Sequence, residues 1–130
     1  MTEPKTLTGR CLCGAVRFEA AGPPLWVGHC HCDSCRRATS SPITTFFAVS
    51  RGATAWTAGA PKVFESSPGV RRLFCGDCGA PMAFIADHYP EEEHLYVAAL
   101  DAPAALAPSE QFHADERLPW MPSFEDLPHR

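Results

Sequence analysis

The sequence C-L-C-G occupies residues 11–14, and the sequence C-G-D-C-G occupies residues 75–79. Two tightly spaced cysteine pairs that lie far apart along a chain are typical of a tetrahedral zinc site with four thiolate ligands. Gly14 and Gly79 follow the pairs, where a metal-binding turn needs sharp backbone bends that often have positive φ. The pattern therefore predicts a structural zinc on the four-cysteine cluster, which consists of Cys11, Cys13, Cys75 and Cys78.

Buried, reduced thiols that act as small hydrophobic side chains are the simpler explanation for these four cysteines. Isolated core cysteines need neither paired spacing nor trailing glycines, so metal binding is the better interpretation. A metal that joins such distant segments would close a long loop and add its binding energy to the stability of the fold.

The other three cysteines lie in the sequence C-H-C-D-S-C at residues 30–35. If the backbone is extended here, Cys30 and Cys32 point to one face and the histidines beside them point to the other. Cys35 would return to the first face through a turn and a short helix, whose first N–H groups would favour its thiolate form. This three-cysteine cluster, Cys30, Cys32 and Cys35, predicts a zinc site that lacks a fourth protein ligand.

A zinc site with three protein ligands is typical of catalytic rather than structural metals. Three thiolates leave the metal a weak activator of water, but well suited to bind an incoming thiol as a thiolate that attacks a carbonyl carbon. The alternative is a second structural zinc that a histidine completes, and the candidates are His29, His31 and His113. A metal-free redox cluster is a further alternative. We expect the remaining histidines to be solvated or hydrogen-bonded, namely His88, His94 and His129.

Length and composition predict one compact domain over residues 1–130. Hydrophobic residues make up 45% and charged residues 20% of the chain, which is ordinary for a globular protein. The formal net charge of −4 offers no basic surface for a phosphate backbone, so we expect no nucleic-acid partner.

The seven cysteines could form disulfides in an oxidising compartment or bind metal in a reducing one. Metal is favoured because the count is odd, each cysteine belongs to a tight cluster, and residues 1–10 contain no apolar block of a secretory signal. The longest apolar run, residues 95–100, is far too short to span a bilayer. We therefore expect a soluble, cytoplasmic protein without a membrane partner.

Short apolar runs with turn residues between them predict a mainly β fold. These runs are residues 15–20, 43–49, 53–56, 62–65, 70–74, 82–86 and 95–100. Thirteen prolines and nine glycines leave room only for one or two short helical turns. One is predicted after Cys32 with Asp33 or Ser34 as its N-cap, and one after Asp101 with Pro103 near its start. The aromatic tail at residues 118–130 is expected to pack back onto the domain.

Four segments together resemble the glutathione-dependent formaldehyde-activating enzyme family, which also includes centromere protein V. The segments are G-R-C-L-C-G-A-V-R-F at 9–18, C-H-C-D-S-C-R-R at 30–37, R-R-L-F-C-G-D-C-G at 71–79 and L-P-W-M-P-S-F-E-D-L-P at 118–128. The resemblance covers about residues 9–128 and accounts for all seven cysteines.

The resemblance implies an Mss4-like, zinc-bound β-sheet domain, with a structural zinc on the four-cysteine cluster and a catalytic zinc on the three-cysteine cluster. It also implies a carbon–sulfur lyase that combines glutathione and formaldehyde reversibly into S-hydroxymethylglutathione. The chain is shorter than family members that process glutathione, and Gln111 stands where the family has a histidine. The expected partners are therefore an aldehyde and a small-molecule thiol, which is glutathione or another. The alternative is a zinc-stabilised binding or scaffold module without catalysis.

Two sets of side chains have both a functional and an ordinary interpretation. The arginines could hold substrate carboxylates through paired hydrogen bonds, although such residues are more often solvated. These are Arg36, Arg37, Arg71 and Arg72. The aromatic residues could line a pocket, although core packing explains them equally well. These are Trp26, Trp56, Phe46 and Phe47.

Overall fold

A computed structural model describes residues 5–121 of the chain. Its strands are β1 (Thr6–Arg10), β2 (Arg17–Ala21), β3 (Trp26–Cys30), β4 (Thr44–Ser50), β5 (Thr54–Ala58), β6 (Lys62–Ser67), β7 (Val70–Phe74), β8 (Pro81–Ala86), β9 (Glu92–Tyr96) and β10 (Glu110–Phe112). The α-helix is α1 (Asp33–Thr39), and 3₁₀ turns cover Val97–Ala99, Pro103–Ala105 and Ala114–Glu116. The prediction of a mainly β fold with short helical turns is confirmed. None of the helices among residues 5–121 has the length and apolar character that a membrane span requires.

The strands form two sheets, one with the order β1-β2-β5 and one with the order β10-β3-β4-β9-β8-β7-β6. Neighbouring strands pair antiparallel except for β10, which lies parallel to β3. The main core combines Phe18 of the small sheet with Phe47 and Leu95 of the large sheet. The small sheet therefore covers one face of the large sheet.

Strand β4 shows how the large sheet builds two apolar layers. Consecutive side chains in a strand point to opposite faces, so Phe46 and Phe47 separate. Phe47 lies in the main core at 0% exposure. Phe46 lies in a second cluster with Cys30, Cys35 and Tyr96 on the other face. One strand thus contributes both to the core and to the layer that holds the three-cysteine cluster.

Six of the seven predicted strands are present near their predicted bounds, and the seventh overlaps a strand only at Leu95 and Tyr96. The predicted strand at residues 95–100 is Glu92–Tyr96 followed by a 3₁₀ turn at Val97–Ala99. A continuous apolar run gives no periodicity that could distinguish a strand from a buried turn. Strands β1, β3 and β10 were not predicted. Gly9 and Gly28 interrupt the apolar pattern of β1 and β3, and β10 has only three residues.

Helix α1 begins after Cys32 as predicted, but its N-cap is Cys32 and not Asp33 or Ser34. The Sγ atom of Cys32 accepts a hydrogen bond from the Cys35 amide at 3.2 Å. The second predicted turn is confirmed as a 3₁₀ turn with Pro103 at its start. In the tail, Met121 is buried and Trp120 is exposed, whereas Phe124 and the rest of the tail lie outside the described residues.

Phe47→Ala tests the position of the main core. We expect it to lower the free energy of unfolding by about 3–5 kcal/mol, because it removes a large side chain that packs on all sides. The matched control is Phe64→Ala, since Phe64 is 60% exposed on the edge strand β6. That change should cost less than about 0.5 kcal/mol in urea unfolding curves. Equal losses for the two variants would contradict this arrangement of the layers.

Candidate metal centre and aromatic chamber

The four-cysteine cluster joins the two sheets. Cys11 and Cys13 lie in the turn between β1 and β2, while Cys75 and Cys78 lie in the turn between β7 and β8. The Sγ atom of Cys13 lies 3.7 Å from that of Cys11 and 3.8 Å from that of Cys75. All four sulfur atoms lie within 4.8 Å of one another. A tetrahedron with Zn–S bonds of about 2.3 Å has edges of about 3.8 Å, so the donor set fits a zinc ion.

Backbone N–H groups point at the sulfur atoms of this cluster. The Val16 amide lies 3.3 Å from Cys11 Sγ, and the Asp77 amide lies 3.4 Å from Cys75 Sγ. Gly14 and Gly79 have φ of 81° and 79°, which confirms the prediction of positive φ after each pair. Hydrogen bonds to a thiolate stabilise its charged form, which is the form that binds metal.

The lowered pKa of Cys78 illustrates how backbone hydrogen bonds stabilise a thiolate. Hydrogen bonds from the backbone N–H groups of Cys13 and Ala80 lower the pKa of the Cys78 thiol from 9.0 to about 6. The group is then ionised at neutral pH and ready to coordinate a cation. All seven cysteines, which lie among the described residues, are free thiols rather than disulfides.

The three-cysteine cluster forms at the junction of β3 and α1. Cys30 ends the strand, Cys32 caps the helix, and Cys35 lies in its first turn. The Sγ atoms of Cys30 and Cys35 are 3.7 Å apart, and all three sulfur atoms lie within 4.8 Å of one another. This group also fits a metal ion, with three sulfur ligands.

The candidate histidine ligands lie elsewhere. Nδ1 of His29 is 2.8 Å from the hydroxyl group of Thr45, and Nε2 of His31 is 3.0 Å from Oε1 of Gln111. His113 belongs to a separate exposed group of possible ligands with acidic neighbours. Among residues 5–121, therefore, no histidine nitrogen joins the three sulfur atoms as a possible metal ligand.

The prediction that helix N–H groups favour the thiolate form of Cys35 is wrong, because its pKa is raised. Its hydrogen bond with Cys30 and its burial raise the pKa of Cys35, while the same hydrogen bond lowers the pKa of Cys30. The backbone N–H group of Cys35, in the first turn of the helix, points at Cys32 Sγ instead. Without metal, Cys30 is thus the thiol of this pair that ionises first.

Beside this cluster lies a cavity of about 980 Å³ that we call the aromatic chamber. Its main walls are Trp26, Phe46, Phe84, His94, Tyr96 and Phe112. Cross-strand register places these side chains on one face of the large sheet, because residues opposite each other in a ladder point the same way. The pairs are Cys30 with Phe112, Gly28 with Phe46, Phe46 with Tyr96, Phe84 with His94, and Arg72 with Phe84.

A carboxylate holds two of the walls in place. Oε1 of Glu92 lies 3.2 Å from Nε1 of Trp26, which donates to it, and 2.9 Å from Nε2 of His94. The ring centroids of Trp26 and His94 are 4.7 Å apart. His94 is buried and hydrogen-bonded, which confirms the second of the two alternatives expected for it. Trp56 and Phe47 belong to the main core and not to the chamber.

The four arginines have different surroundings. The guanidinium group of Arg36 donates to the carbonyl groups of His31 and Glu116, so it is structural. Arg37 pairs with Asp33 at 3.0 Å, and Arg71 pairs with Asp87 at 3.2 Å.

Arg72 is the arginine that lies against the three-cysteine cluster. Its two terminal nitrogen atoms lie 3.9 Å from Cys35 Sγ, and its guanidinium carbon lies 5.0 Å from the centre of the Phe84 ring. Arg71 and Arg72 are consecutive in a strand, so their side chains point to opposite faces of the sheet. The sequence alone did not tell which of the two faces the cluster, because that depends on the pairing of β7 with β8.

Comparison with known proteins identifies the family. The family described as glutathione-dependent formaldehyde-activating enzyme matches residues 6–116. A Schizosaccharomyces pombe protein named as an uncharacterized lyase is 32% identical over 76 residues, which cover 58% of this chain and 55% of that protein. A Halomonas elongata protein, provisionally named as a glutathione-dependent formaldehyde-activating enzyme, is 29% identical over 105 residues, which cover 74% of this chain and 66% of that protein.

The chain thus spans 55% and 66% of the length of these two curated relatives. A crystal structure of a Rhodobacter sphaeroides protein matches the fold with a TM-score of 0.65, at 23% identity over 80% of this chain and 98% of that chain. That likeness shows the fold alone. The family match begins at residue 6 and ends at residue 116, compared with about 9–128 in the sequence prediction.

His94 should make stability depend on pH. Burial lowers the pKa of its imidazole below 6.5, so between that lowered value and 6.5 the unfolded chain binds more protons than the folded protein. The free energy of unfolding should therefore fall as the pH drops below about 6.5. His94→Gln removes the titrating group, so the advantage of the wild type over this variant should shrink on acidification. A constant difference in urea unfolding between about pH 7.5 and pH 5.5 would contradict a buried neutral His94.

Proposed function

Because the chain belongs to the glutathione-dependent formaldehyde-activating enzyme family, we propose that it is a zinc-dependent carbon–sulfur lyase. The reaction joins a thiol, glutathione or another small thiol, to formaldehyde or a related aldehyde. The observation that supports this most is the position of the three-cysteine cluster in the wall of a chamber large enough for an organic reactant. The four-cysteine cluster lies at a junction between sheets, where a metal stabilises the fold.

The two clusters would have different roles because their ligand numbers differ. In this proposal, Cys30, Cys32 and Cys35 hold the catalytic zinc, and the four-cysteine cluster holds the structural zinc. A zinc ion on three thiolates supplies a position that binds an incoming thiol as a thiolate and keeps its sulfur nucleophilic. The three-cysteine site would lose its metal more readily, since it has one protein ligand fewer.

Arg72 is the group that would stabilise the transition state. When the substrate sulfur attacks the aldehyde, a carbon–sulfur bond forms and the π electrons of the carbonyl move to oxygen. The guanidinium group beside Cys35 can donate hydrogen bonds to that oxyanion, which then takes up a proton in place of the one that the thiol released on ionising. The lyase direction reverses these steps, and the oxygen loses its proton before the carbon–sulfur bond breaks.

Tyr96 would contribute a neutral donor to the same space. It packs against Cys30, Cys35 and Phe46, and burial raises the pKa of its hydroxyl group to about 12. The hydroxyl group therefore keeps its proton at neutral pH and can donate a hydrogen bond to a developing charge. The aromatic walls would shield one side of the reacting atoms from water.

Paired cysteine variants test the division between the two clusters. Cys32→Ser should reduce the rate of hemithioacetal formation from glutathione and formaldehyde to the uncatalysed rate, with only a modest loss of stability, because serine is also a good N-cap for α1. Cys78→Ser should prevent stable folding, because it opens the ligand set that joins the two sheets. The rate is followed against the uncatalysed reaction, and stability by thermal unfolding.

If the wild type accelerates the reaction with no common thiol, the proposed function is wrong and a scaffold role is favoured. If both cysteine variants unfold to the same extent, the assigned roles of the two clusters are wrong.

Arg72→Gln should lower kcat/KM by about 100-fold, the usual loss when one donor to an oxyanion is removed. The matched control is Arg71→Gln, which breaks an ion pair with the exposed Asp87 and leaves the chamber intact. That variant should keep kcat/KM within about twofold of the wild type, because exposed ion pairs contribute little. Similar losses in steady-state kinetics of the two variants would contradict the role of Arg72.

A further inference from the structure

Glu92 lies in the wall of the aromatic chamber and uses only part of its capacity to accept hydrogen bonds. Its Oε1 atom accepts from Nε1 of Trp26 at 3.2 Å and lies 2.9 Å from Nε2 of His94. Among residues 5–121, no group donates to its other oxygen atom, Oε2. A carboxylate can accept hydrogen bonds through both oxygen atoms, so Glu92 can still bind a donor that enters the chamber.

The negative charge of Glu92 also lacks a cationic partner. A carboxylate only accepts hydrogen bonds, so Nε2 of His94 carries the proton that they share. Burial lowers the pKa of His94, and its ring is therefore neutral at about pH 7. Arg51 donates to main-chain carbonyl groups, including that of Glu92, and makes no ion pair with the carboxylate. Within the described part of the chain, the charge of Glu92 thus faces the chamber uncompensated.

Aromatic rings line the chamber next to this carboxylate. The ring of His94 packs against that of Trp26, with 4.7 Å between the centroids, and against that of Tyr89, with 5.0 Å between the centroids. The faces of aromatic rings attract cations, and a carboxylate beside them adds a full negative charge. This combination favours a ligand that carries an ammonium group.

The end of the chamber that holds Glu92 is in contact with water. The side chain of Glu92 is 27% exposed, and Tyr89 is 39% exposed. In an amino acid, a carboxylate lies on the same carbon atom as the ammonium group, and burying it without a partner would be costly. At this end of the chamber, that carboxylate can stay hydrated while the ammonium group binds Glu92.

The distance between Glu92 and the three-cysteine cluster fits a γ-glutamyl thiol. Trp26, the donor to Glu92, begins strand β3, and Cys30 ends it. These two positions are separated by about 13 Å of extended backbone. In extended glutathione, the γ-glutamyl linkage places the ammonium nitrogen roughly 10 Å from the sulfur atom. The bond from sulfur to metal and the hydrogen bond of the ammonium group add about 5 Å, so the molecule can reach both sites.

We propose that Glu92 forms a subsite for the ammonium group of the thiol substrate, while the sulfur atom of that substrate binds at the three-cysteine cluster. The inference rests on the proposed function for the position of the sulfur atom. It narrows the substrate to thiols whose ammonium group lies roughly 10 Å from the sulfur, a condition that glutathione meets. Arg72 stays beside Cys35, where it can donate to the aldehyde oxygen.

Calorimetric titration of the zinc-loaded protein without aldehyde tests this subsite. The two probes are glutathione and glutaryl-cysteinylglycine, which lacks only the amino group of glutathione. We expect glutathione to bind about tenfold more tightly, because a hydrogen bond between charged groups contributes at least that factor. Equal dissociation constants for the two thiols, or no binding of either, would overturn the inference.

Two neighbouring glutamates provide a matched pair of variants. Glu92→Gln keeps an acceptor for Trp26 and His94 but removes the charge, so it should remove the preference for glutathione. Glu91→Gln removes the same charge from an exposed neighbour and should keep the preference. If Glu92→Gln weakens both thiols equally and the preference remains, Glu92 only supports the chamber walls and the inference is wrong.

Glu116 is the second carboxylate among the described residues that line the chamber. Its Oε1 atom accepts from the Asp33 amide, and its Oε2 atom lies 3.5 Å from Nδ1 of His113. Glu116→Gln should therefore keep the preference for glutathione. Loss of the preference in this variant but not in Glu92→Gln would overturn the assignment to Glu92.

The same titrations separate this inference from the proposed function. A protein whose preference for glutathione depends on Glu92, but which accelerates no reaction with formaldehyde, would support the inference and contradict the lyase. A protein that accelerates the reaction and binds both thiols equally would do the reverse.

Discussion

Convergence of four sulfur atoms at the junction of the two sheets is the constraint on which the structure depends. The turn between β1 and β2 and the turn between β7 and β8 are separated by most of the domain, yet Cys13 and Cys75 lie side by side there. Backbone amide groups point at Cys11 Sγ and Cys75 Sγ, so the backbone already offers hydrogen bonds to thiolate ligands. A metal in this position fixes the small sheet against the large one and closes the main core between them.

Because side chains alternate along each strand, the strands that form the main core also place side chains on the opposite face of the large sheet, where the candidate site lies. Phe47 faces the small sheet and Phe46 faces the chamber, so packing on one side sets the orientation of the walls on the other. The same alternation turns Arg72 toward the three-cysteine cluster and leaves Arg71 with Asp87. The proposed chemistry is therefore a consequence of register, since a shift by one residue would exchange the two faces.

The spacing of the cysteines and the glycines that follow them was enough to predict both cysteine clusters, because each pair or triplet is set within a few residues. The mainly β fold could be predicted from the short apolar runs between turn residues. The chamber could not be predicted in this way, because Phe84 and His94 meet through the pairing of β8 with β9 and not through proximity in sequence. His94 was expected to be either solvated or hydrogen-bonded, and only the fold decides between the two, because it buries the ring among aromatic side chains. The N-cap of α1 was assigned to the wrong residue because cysteine is rarely considered as a cap, although its sulfur can accept a hydrogen bond.

The difference between a four-ligand cluster that joins the sheets and a three-ligand cluster that faces the chamber is the central claim. Anomalous diffraction at the zinc absorption edge measures it directly in crystals of the zinc-loaded protein. We predict two peaks per chain, one bonded to Cys11, Cys13, Cys75 and Cys78, and one bonded to Cys30, Cys32, Cys35 and a ligand that is not part of the protein. A histidine nitrogen at the fourth position of the second peak, or disulfides in place of either peak, would contradict the account.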